Sequence, residues 1–398
     1  MLIGMQRKQS VNGIAREPGE LALLRSIRSR VSSGNSASLR LGIGDDCALL
    51  RTRPGEELAV TTDLSIEGRH FRLDWHPPES VGHRALARGL SDLAAMGARP
   101  VAAFLSLGLP RRLTLAEGKR RAWVERFFDG LLALADAHKT PLAGGDLAES
   151  PIALADIVLV GAVPRGRALL RSGARPGHLL YVTGSLGGAA AGLSLLAELS
   201  GAPGIAGNSP SVSGHTFSRA DKANRTIRDL APEGDLPGIS NATASNSAAN
   251  PTQPGHPTPR VPKKLGALLA PHLYPQPRIA QGLWLQRRGL ASAALDLSDG
   301  LSTDLAHLCG ESAVAAEVDA SALPIHPAAT LEQALHGGED YELLFTAPAA
   351  TRLPRSIAGV GVTKIGRIIP LRRGQPTITL ITPGGPKPLD PHGWEHFS

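Results

Sequence analysis

Aspartates recur in short motifs along the chain, most of them beside glycine. The motifs are GIGDD (42–46), TTD (61–63), LSDLAAMG (90–97), AGGD (143–146) and DLSDG (296–300), and GGEDYELLF (337–345) has two more adjacent acids directly after its glycines. Taken singly, each aspartate is explained as a turn residue or a helix cap. Asp92, for example, could simply pair with Arg88 four residues before it. Because Asn, Ser or Pro could also build these turns, the repeated choice of Asp indicates a shared purpose.

If the motifs converge in space, they form a site for a hard metal ion. Four or more carboxylates in one cleft repel one another strongly unless cations lie between them. Oxygen ligands without a neighbouring Cys suit Mg²⁺, the usual ion where phosphates complete the coordination. The aspartates concerned are Asp46, Asp63, Asp92, Asp146, Asp296 and Asp299.

The sequence contains neither of the two common nucleotide-binding loops. GIGDDC lacks the third glycine of the dinucleotide fingerprint, and no G-x-x-x-x-G-K-[ST] occurs. AGGD and LSDGLS are weaker candidates, in which the start of a helix could offer free N–H groups to an anion. Arg167 and Arg171 stand four apart on an expected helix in GRALLRSGA, where they could clamp a phosphate or lie on a solvated surface.

The elements that carry these motifs alternate between strands and helices, which predicts an α/β fold. Strands are expected over 57–65, 100–110, 152–163, 179–184 and 292–298, and helices over 19–31, 77–97, 117–138, 187–199, 278–289 and 301–309. Residues 200–264 are dominated by Gly, Pro, Ser, Asn and Thr, and such a segment buries too little apolar surface to fold. We therefore expect a disordered insertion there.

Length and composition predict a soluble protein of two domains. A chain of 398 residues is long for a single core, and its 42% hydrophobic residues are enough for a sizeable one. The two cysteines, Cys47 and Cys309, are too few for a disulfide framework. The first twenty residues contain no apolar signal segment, and no run approaches the roughly 18 apolar residues that span a bilayer. The prediction is a cytoplasmic protein without a membrane partner.

The charge balance favours a polyanionic partner. The formal net charge is +7, which suits either nucleic acid or a phosphorylated small molecule. Aromatic residues are only 4%, and the basic clusters RSIRSR and PRRLTLAEGKRR contain no Phe or Tyr on which bases could stack. We therefore predict no nucleic-acid partner, and steeply salt-dependent association with DNA or RNA would contradict this.

Seven motifs, in this order, resemble the thiamine-monophosphate kinases of the aminoimidazole ribonucleotide synthetase superfamily. They are GIGDDCALL, TTDLSIEGRHF, LSDLAAMGARP, AGGD, GRALLRSGARPG, ALDLSDGLSTDLAHL and GGEDYELLF. The resemblance runs from about Gly19 to Phe397, apart from the insertion, which the family pattern lacks. It implies a mixed α/β fold of two domains, an ATP- and Mg-binding domain at 19–163 and a C-terminal α/β domain at 164–398. A flexible N-terminus at 1–18 would precede them. The sheet of the first domain would form a barrel in a homodimer.

The resemblance also implies an activity, the last step of thiamine diphosphate biosynthesis. ATP would phosphorylate thiamine phosphate by direct in-line transfer at a site with several Mg²⁺ ions and no catalytic side chain. Carried over motif by motif, the metal ligands would be Asp46, Thr61, Thr62, Asp63, Asp92, Asp146, Asp296 and Asp299. The contacts to ATP would be Gly145, Asp146, Arg171 and Ser298, and the contacts to the substrate would be His70, Glu339 and Trp394.

Two alternatives remain open at this point. Another ATP-dependent phosphotransferase of the superfamily would share the scaffold, for example aminoimidazole ribonucleotide synthetase or selenophosphate synthetase. The latter should show a reactive Cys near a Lys in the N-terminal segment, and the first forty residues contain no Cys. The second alternative is a catalytically silent protein that binds nucleotide for regulation.

Overall fold

A computed structural model describes residues 20–31, 38–116, 121–200 and 263–393. The expected flexible N-terminus, nearly all of the expected insertion and Trp394 lie outside the described residues. No helix within the described ranges is long and apolar enough to cross a membrane.

The first half of the described chain builds a four-stranded sheet with helices packed on one face. Helix α1 (Glu20–Arg30) is followed by a small ladder of β1 (Leu39–Leu41) and β2 (Leu49–Leu50). The sheet has the order β3-β6-β4-β5, with β4 and β5 parallel and the other pairs antiparallel. Its strands and helices are β3 (Glu56–Ile66), α2 (Pro78–Ala95), β4 (Arg99–Leu109), α3 (Trp123–Ala137), β5 (Leu142–Glu149) and β6 (Leu154–Pro164).

The second half builds a larger mixed sheet with the order β14-β13-β9-β12-β7-β10-β8, and β11 pairs with β12. Its helices are α4 (Gly188–Leu199), α5 (Lys263–Leu273), α6 (Ile279–Arg288), α7 (Leu301–Ser312) and α8 (Leu331–His336). Its strands are β7 (Leu179–Thr183), β8 (Ala293–Asp296), β9 (Val314–Asp319), β10 (Leu343–Ala347), β11 (Ser356–Ile357), β12 (Val360–Pro370), β13 (Ile378–Thr382) and β14 (Gly385–Pro388).

Helix α2 lies at the centre of the molecule. It packs on α3 with glycines at the crossing, because a Cβ on Gly82 or Gly130 would collide with backbone of the other helix. It also packs on α6, where Gly282 lies against the carbonyl of Ala94. One buried cluster includes Leu86 of α2 and Phe345 of β10. A continuous core therefore crosses residue 163, and the expected domain boundary there stays a prediction.

The ends of α2 confirm the sequence reading, because Pro77 precedes the helix and Gly97 leaves it with a positive φ of 63°. Three other expectations were wrong. AGGD lies within β5, since its backbone is paired to β4, and no helix starts there. Residues 166–175 are not helical. Helix α3 begins only at Trp123, because Ala122 has extended backbone.

Candidate active site

One face of α2 carries three charged residues at helical spacing: Arg84, Arg88 and Asp92. Residues four apart lie above one another on a helix, so these three form a single row. Arg84 is buried, and Arg88 and Asp92 are partly buried. Charges are rarely enclosed in this way unless they are paired. Their partners come from β3, β8 and the GGEDYE segment before β10.

Four of the expected metal ligands, three of them carboxylates, meet at this row. Arg88 Nη2 lies 3.3 Å from Oδ1 of Asp63 on β3. The hydroxyl of Thr61, two residues earlier on the same face, donates to the carboxylate of Asp92. From the other sheet, Asp296 ends β8, and its Oδ2 accepts a hydrogen bond from Ser91 Oγ at 2.6 Å. Asp63, Asp92 and Asp296 thus converge from three elements.

The electrostatics of this trio favour a bound cation. Burial, together with the charge of Asp92, raises the pKa of Asp63 to about 6 and that of Asp296 to about 7. Burial also raises the pKa of Asp92, against the opposing hydrogen bond from Thr61 and the positive charge of Arg171. Negative charge is therefore costly here without a counter-ion, and the ligand atoms are all oxygens. This donor set fits Mg²⁺.

The DLSDG loop carries Asp299 three residues after Asp296. The Oδ2 of Asp304 accepts the backbone N–H groups of Ser298, Asp299 and Gly300 at 3.0, 3.0 and 3.1 Å. Those N–H groups were expected to be free for an anion, and that expectation was wrong because Asp304 occupies them. Ligand atoms of Asp299, Asp304 and His307 lie within 4.8 Å of one another, so this group could also hold a metal ion.

The remaining expected ligands on the first sheet lie apart from the trio within one chain. Asp46, Gly145 and Asp146 line a separate cavity of about 460 Å³. Gly145 is in register with Asp63 but three strands away, roughly 14 Å at the usual strand spacing. The expected set therefore falls into two groups, one near β3 and α2 and the other near β5.

Strand alternation also separates the two neighbouring threonines. Thr61 faces α2, whereas Thr62 faces outward and donates to Asp156 Oδ1 at 2.9 Å. Asp146 lies in the same register row as Asp156, with Ser106 between them, and so shares the outward face of Thr62. The two threonine hydroxyls therefore cannot serve the same side of the sheet. Arg171 is exposed, and its charge lowers the pKa of Asp92.

The acids of GGEDYELLF have three different surroundings. Glu339, with a positive φ of 68°, reaches Arg84 Nη2 at 2.5 Å, and the same nitrogen donates to the His70 carbonyl. Asp340 accepts the N–H of Gly187 at 2.6 Å at the start of α4, and burial raises its pKa to about 7. Glu342 pairs with Arg278 at 2.5 Å. Of these three acids, Glu339 is therefore the one that is linked, through Arg84, to the expected substrate residue His70.

Trp394 lies outside the described residues, but the chain just before it is fixed in place. The Gly393 N–H donates to Thr303 Oγ1 at 2.9 Å, at the first turn of α7. Gly393 also packs so closely on the Asp299 carbonyl that a side chain there would collide with it. The tail therefore reaches the loop that carries Asp299.

Sequence reasoning missed Arg84, Ser91 and Asp304. The row Arg84, Arg88 and Asp92 was visible as an i, i+4, i+8 pattern inside an otherwise apolar helix, which indicates a buried charged face. Ser91 stood within a quoted motif but was not considered. Asp304 lies in the first turn of α7, where an acid suits the helix dipole. Its contact with three loop N–H groups has no sequence signal.

Comparisons with known proteins agree with these observations. Residues 44–163 match the family model described as AIR synthase related protein, N-terminal domain. Thiamine-monophosphate kinase of Escherichia coli is 36% identical over 392 residues, which cover 96% of this chain and 98% of the relative. The crystal structure of thiamine-monophosphate kinase from Stenotrophomonas maltophilia is 34% identical with a TM-score of 0.66, covering 91% of this chain and 96% of that one. A structure of AaThiL complexed with AMPPCP and TMP is 28% identical with a TM-score of 0.60, covering 98% and 100%.

Proposed function

The chain belongs to the thiamine-monophosphate kinase family, and we propose that it transfers the γ-phosphoryl group of ATP to thiamine phosphate, which yields thiamine diphosphate and ADP. The observation that carries this proposal is the meeting of Asp63, Asp92 and Asp296 beside the Arg84–Glu339 pair. An acidic cluster beside a partly exposed carboxylate supports a cation site next to a substrate site. The complex of AaThiL with AMPPCP, an ATP analogue, and TMP supports the same pair of ligands.

Several Mg²⁺ ions would be held by the carboxylates of the acidic cluster. The ligands on this side are Asp63, Asp92, Asp296 and Asp299, and the expected ligands Asp46, Thr61, Thr62 and Asp146 complete the proposal. When bound, Mg²⁺ lowers the repulsion between the two polyanions and favours in-line placement of the reacting oxygens. The raised pKa values of Asp63 and Asp296 support the assignment, because a cation relieves the cost of ionising them.

The side chains have little covalent chemistry to perform. The acceptor is a phosphate monoester with a second pKa near 6, so at neutral pH it is already ionised and needs no strong general base. Arg171 and Ser298 would bind the nucleotide phosphates, together with the backbone around Gly145 and Asp146. Arg88, which pairs with Asp63, offsets part of the negative charge of that carboxylate. This division of roles explains a site rich in Asp.

His70 would orient the substrate, not remove a proton from it. Its Nδ1 accepts the backbone N–H of Ile66 at 3.1 Å. In the neutral ring the proton therefore lies on Nε2, which makes that nitrogen a donor. A donor at this position suits an anionic or polar substrate atom. Glu339 and Trp394 would complete the contacts to thiamine phosphate.

We further propose that the protein acts as a homodimer through its four-stranded sheet. On the outward face of β3, the side chains of Leu58, Val60 and Leu64 are 51%, 64% and 45% exposed. Monomeric proteins rarely expose several large apolar side chains along one strand in this way. β3 and β5 are the two edges of this sheet in the described part of the chain. Joining β3 to the β5 of a second protomer would cover the apolar row and bring Asp146 of the partner subunit to the edge strand that carries Thr62 and Asp63.

The test is formation of thiamine diphosphate by the purified protein supplied with ATP, thiamine phosphate and Mg²⁺. We expect product only with all three, and none with EDTA or with free thiamine as acceptor. A folded protein that binds Mg·ATP but makes no product from thiamine phosphate would contradict the proposal. Turnover with a different phosphorylated acceptor would then assign another activity of the superfamily, and absence of any turnover would assign a nucleotide-binding role.

A further inference from the structure

Arg84 contacts both of the described residues expected to bind the substrate. Its Nη2 donates to the His70 carbonyl at 3.2 Å and to Glu339 Oε1 at 2.5 Å. His70 follows β3 of the first sheet and Glu339 precedes β10 of the second, so the two belong to segments far apart in the chain. The Arg84 side chain is only 6% exposed, whereas that of Glu339 is 27% exposed. Arg84 is thus a buried hydrogen-bond donor shared by the His70 and Glu339 segments.

The other terminal nitrogen of Arg84 lies against two buried imidazoles. Its Nη1 lies 3.1 Å from His76 Nε2 and 2.7 Å from His272 Nε2. The two Nε2 atoms lie 3.0 Å apart, so one of them donates to the other, and His76 is the donor because its Nδ1 accepts the Arg72 N–H at 3.1 Å. His272 Nε2 therefore accepts from Arg84, which can only donate, and the His272 proton lies on Nδ1. Burial holds the pKa of both rings low, that of His76 at about 3. Both rings are therefore neutral at physiological pH and do not compete with Arg84 for the negative charge of Glu339.

His272 supplies a second donor directed at the same carboxylate. Its protonated Nδ1 is buried and has no hydrogen-bond partner among the described residues. The nearest carboxylate oxygen is Glu339 Oε2, at 3.5 Å. Arg84 thus faces one oxygen of Glu339 and His272 faces the other. A small closing movement of Glu339 would convert this approach into a hydrogen bond.

We propose that Arg84, supported by His76 and His272, is a positioning residue that fixes Glu339 and the His70 segment as one surface for the thiamine part of the substrate. This inference rests on the proposed function. Glu339 and Tyr341 both have positive φ, of 68° and 50°, so their segment is strained and needs an external anchor. A fixed carboxylate loses less conformational entropy on binding than a free one. Its exposed edge suits the cationic, N–H-bearing rings of thiamine.

The decisive experiment is a double-mutant cycle with Arg84→Lys and Glu339→Gln, read out as KM for thiamine phosphate and KM for Mg·ATP. Lysine keeps the charge but lacks the planar fork with which Arg84 donates to the His70 carbonyl, Glu339 and His272. For Arg84→Lys we expect KM for thiamine phosphate to rise about 10- to 100-fold, the effect of losing a charged hydrogen bond. KM for Mg·ATP should change less than about twofold. In the Glu339→Gln background, Arg84→Lys should add less than about twofold.

Arg126→Lys is the matched control. Arg126 forms an ion pair of the same type with Glu79 at 2.7 Å, between α3 and α2 and away from this surface. It should leave both KM values unchanged. Equal increases in both KM values for Arg84→Lys, or additive effects in the cycle, would reduce Arg84 to a structural role and overturn the inference.

Glu339→Asp keeps the test decisive if Arg84→Lys does not fold. This change is at a partly exposed residue and preserves the charge, but it withdraws the carboxylate from Arg84 by one methylene. We expect a rise in KM for thiamine phosphate of about tenfold, and an unchanged KM would overturn the inference. The two hypotheses fail differently. A wild-type protein without turnover on thiamine phosphate overturns the proposed function together with this inference, whereas normal wild-type turnover with unaltered variants overturns this inference alone.

Discussion

The hydroxyl of Ser91 on α2 donates a hydrogen bond of 2.6 Å to Oδ2 of Asp296 on β8. Both residues are buried, with exposures of 0% and 5%. This bond joins the helix of the first sheet to a strand of the second at the acidic cluster. Because α2 also carries Arg84, Arg88 and Asp92, one helix sets the spacing between the acidic cluster and the carboxylate of Glu339.

Replacing Asp92 with Asn should raise the Mg²⁺ requirement without unfolding the protein. The amide keeps the shape and can still accept from Thr61, but it loses the charge that binds a cation. We expect the Mg²⁺ concentration for half-maximal activity to rise about 10- to 100-fold, as for other losses at metal sites. The control is Asp129→Asn, which removes a carboxylate paired with Arg30 away from the cluster. An unfolded Asp92→Asn protein, seen by circular dichroism, would instead indicate a structural role.

The stability of the metal-free protein should fall as pH rises, and Mg²⁺ should reverse this. Folding raises the pKa of Asp63 from 3.8 to about 6 and that of Asp296 from 3.8 to about 7. A carboxyl group with a raised pKa in the folded state contributes full stability below 3.8 and loses it as pH increases through the folded pKa. For Asp63 alone the loss corresponds to about 3 kcal/mol.

This pH dependence can be measured by thermal melting in EDTA and in Mg²⁺ between pH 5 and 8. The melting temperature in EDTA should decrease across this range, and the increase caused by Mg²⁺ should be larger at pH 8 than at pH 5, because the ion binds the ionised carboxylates. The same Mg²⁺ effect at both pH values would contradict a site at Asp63 and Asp296. A variant with both residues changed to Asn should lose most of the pH dependence.

The sequence predicted elements whose signals are local. Pro77 and Gly97 delimit α2, and the apolar runs of β4 and β6 stand out without any knowledge of their partners. AGGD was misread because its β structure depends on pairing with β4, a distant segment. The partners of Glu339 and Asp340 could not be foreseen either. They are adjacent in sequence, yet one meets Arg84 and the other the start of α4, and only tertiary packing decides this.

Glu342 should contribute to stability and not to substrate binding, in contrast to Glu339. Glu342 is 4% exposed and pairs with Arg278 while also accepting from Thr183. Glu342→Gln leaves Arg278 without its counter-charge, and we expect a loss of about 3 kcal/mol in unfolding free energy with KM for thiamine phosphate unchanged. Glu317→Gln breaks a similar pair with the exposed Arg367 and should leave the unfolding free energy nearly unchanged. Denaturant titration and steady-state kinetics measure both, and a raised KM with normal stability for Glu342→Gln would contradict this assignment.

A charge on the outward face of β3 should break the proposed dimer. Val60 is 64% exposed in the single chain, and Val60→Glu would bury a carboxylate if a second sheet covered it. We expect the variant to sediment as a monomer with little activity, while Leu371→Glu, at a residue 51% exposed on the second half of the chain, should change neither. A Val60→Glu protein with the same sedimentation coefficient as wild type would rule out this face.

Mixing two inactive variants tests whether each active site combines two protomers. If Asp146 of the partner subunit joins the site that contains Asp63, then a dimer of one Asp63→Asn chain and one Asp146→Asn chain has one site with both aspartates intact. Random exchange makes half of the dimers mixed, so the mixture should recover about a quarter of wild-type activity. Refolding the two variants together from denaturant and assaying thiamine diphosphate measures the recovery. Refolding each variant alone is the control. No recovery in a mixture that forms dimers would place Asp63 and Asp146 in one chain's site, and Asp146 would then have to cross three strand spacings, roughly 14 Å, which its short side chain cannot do without movement of β5.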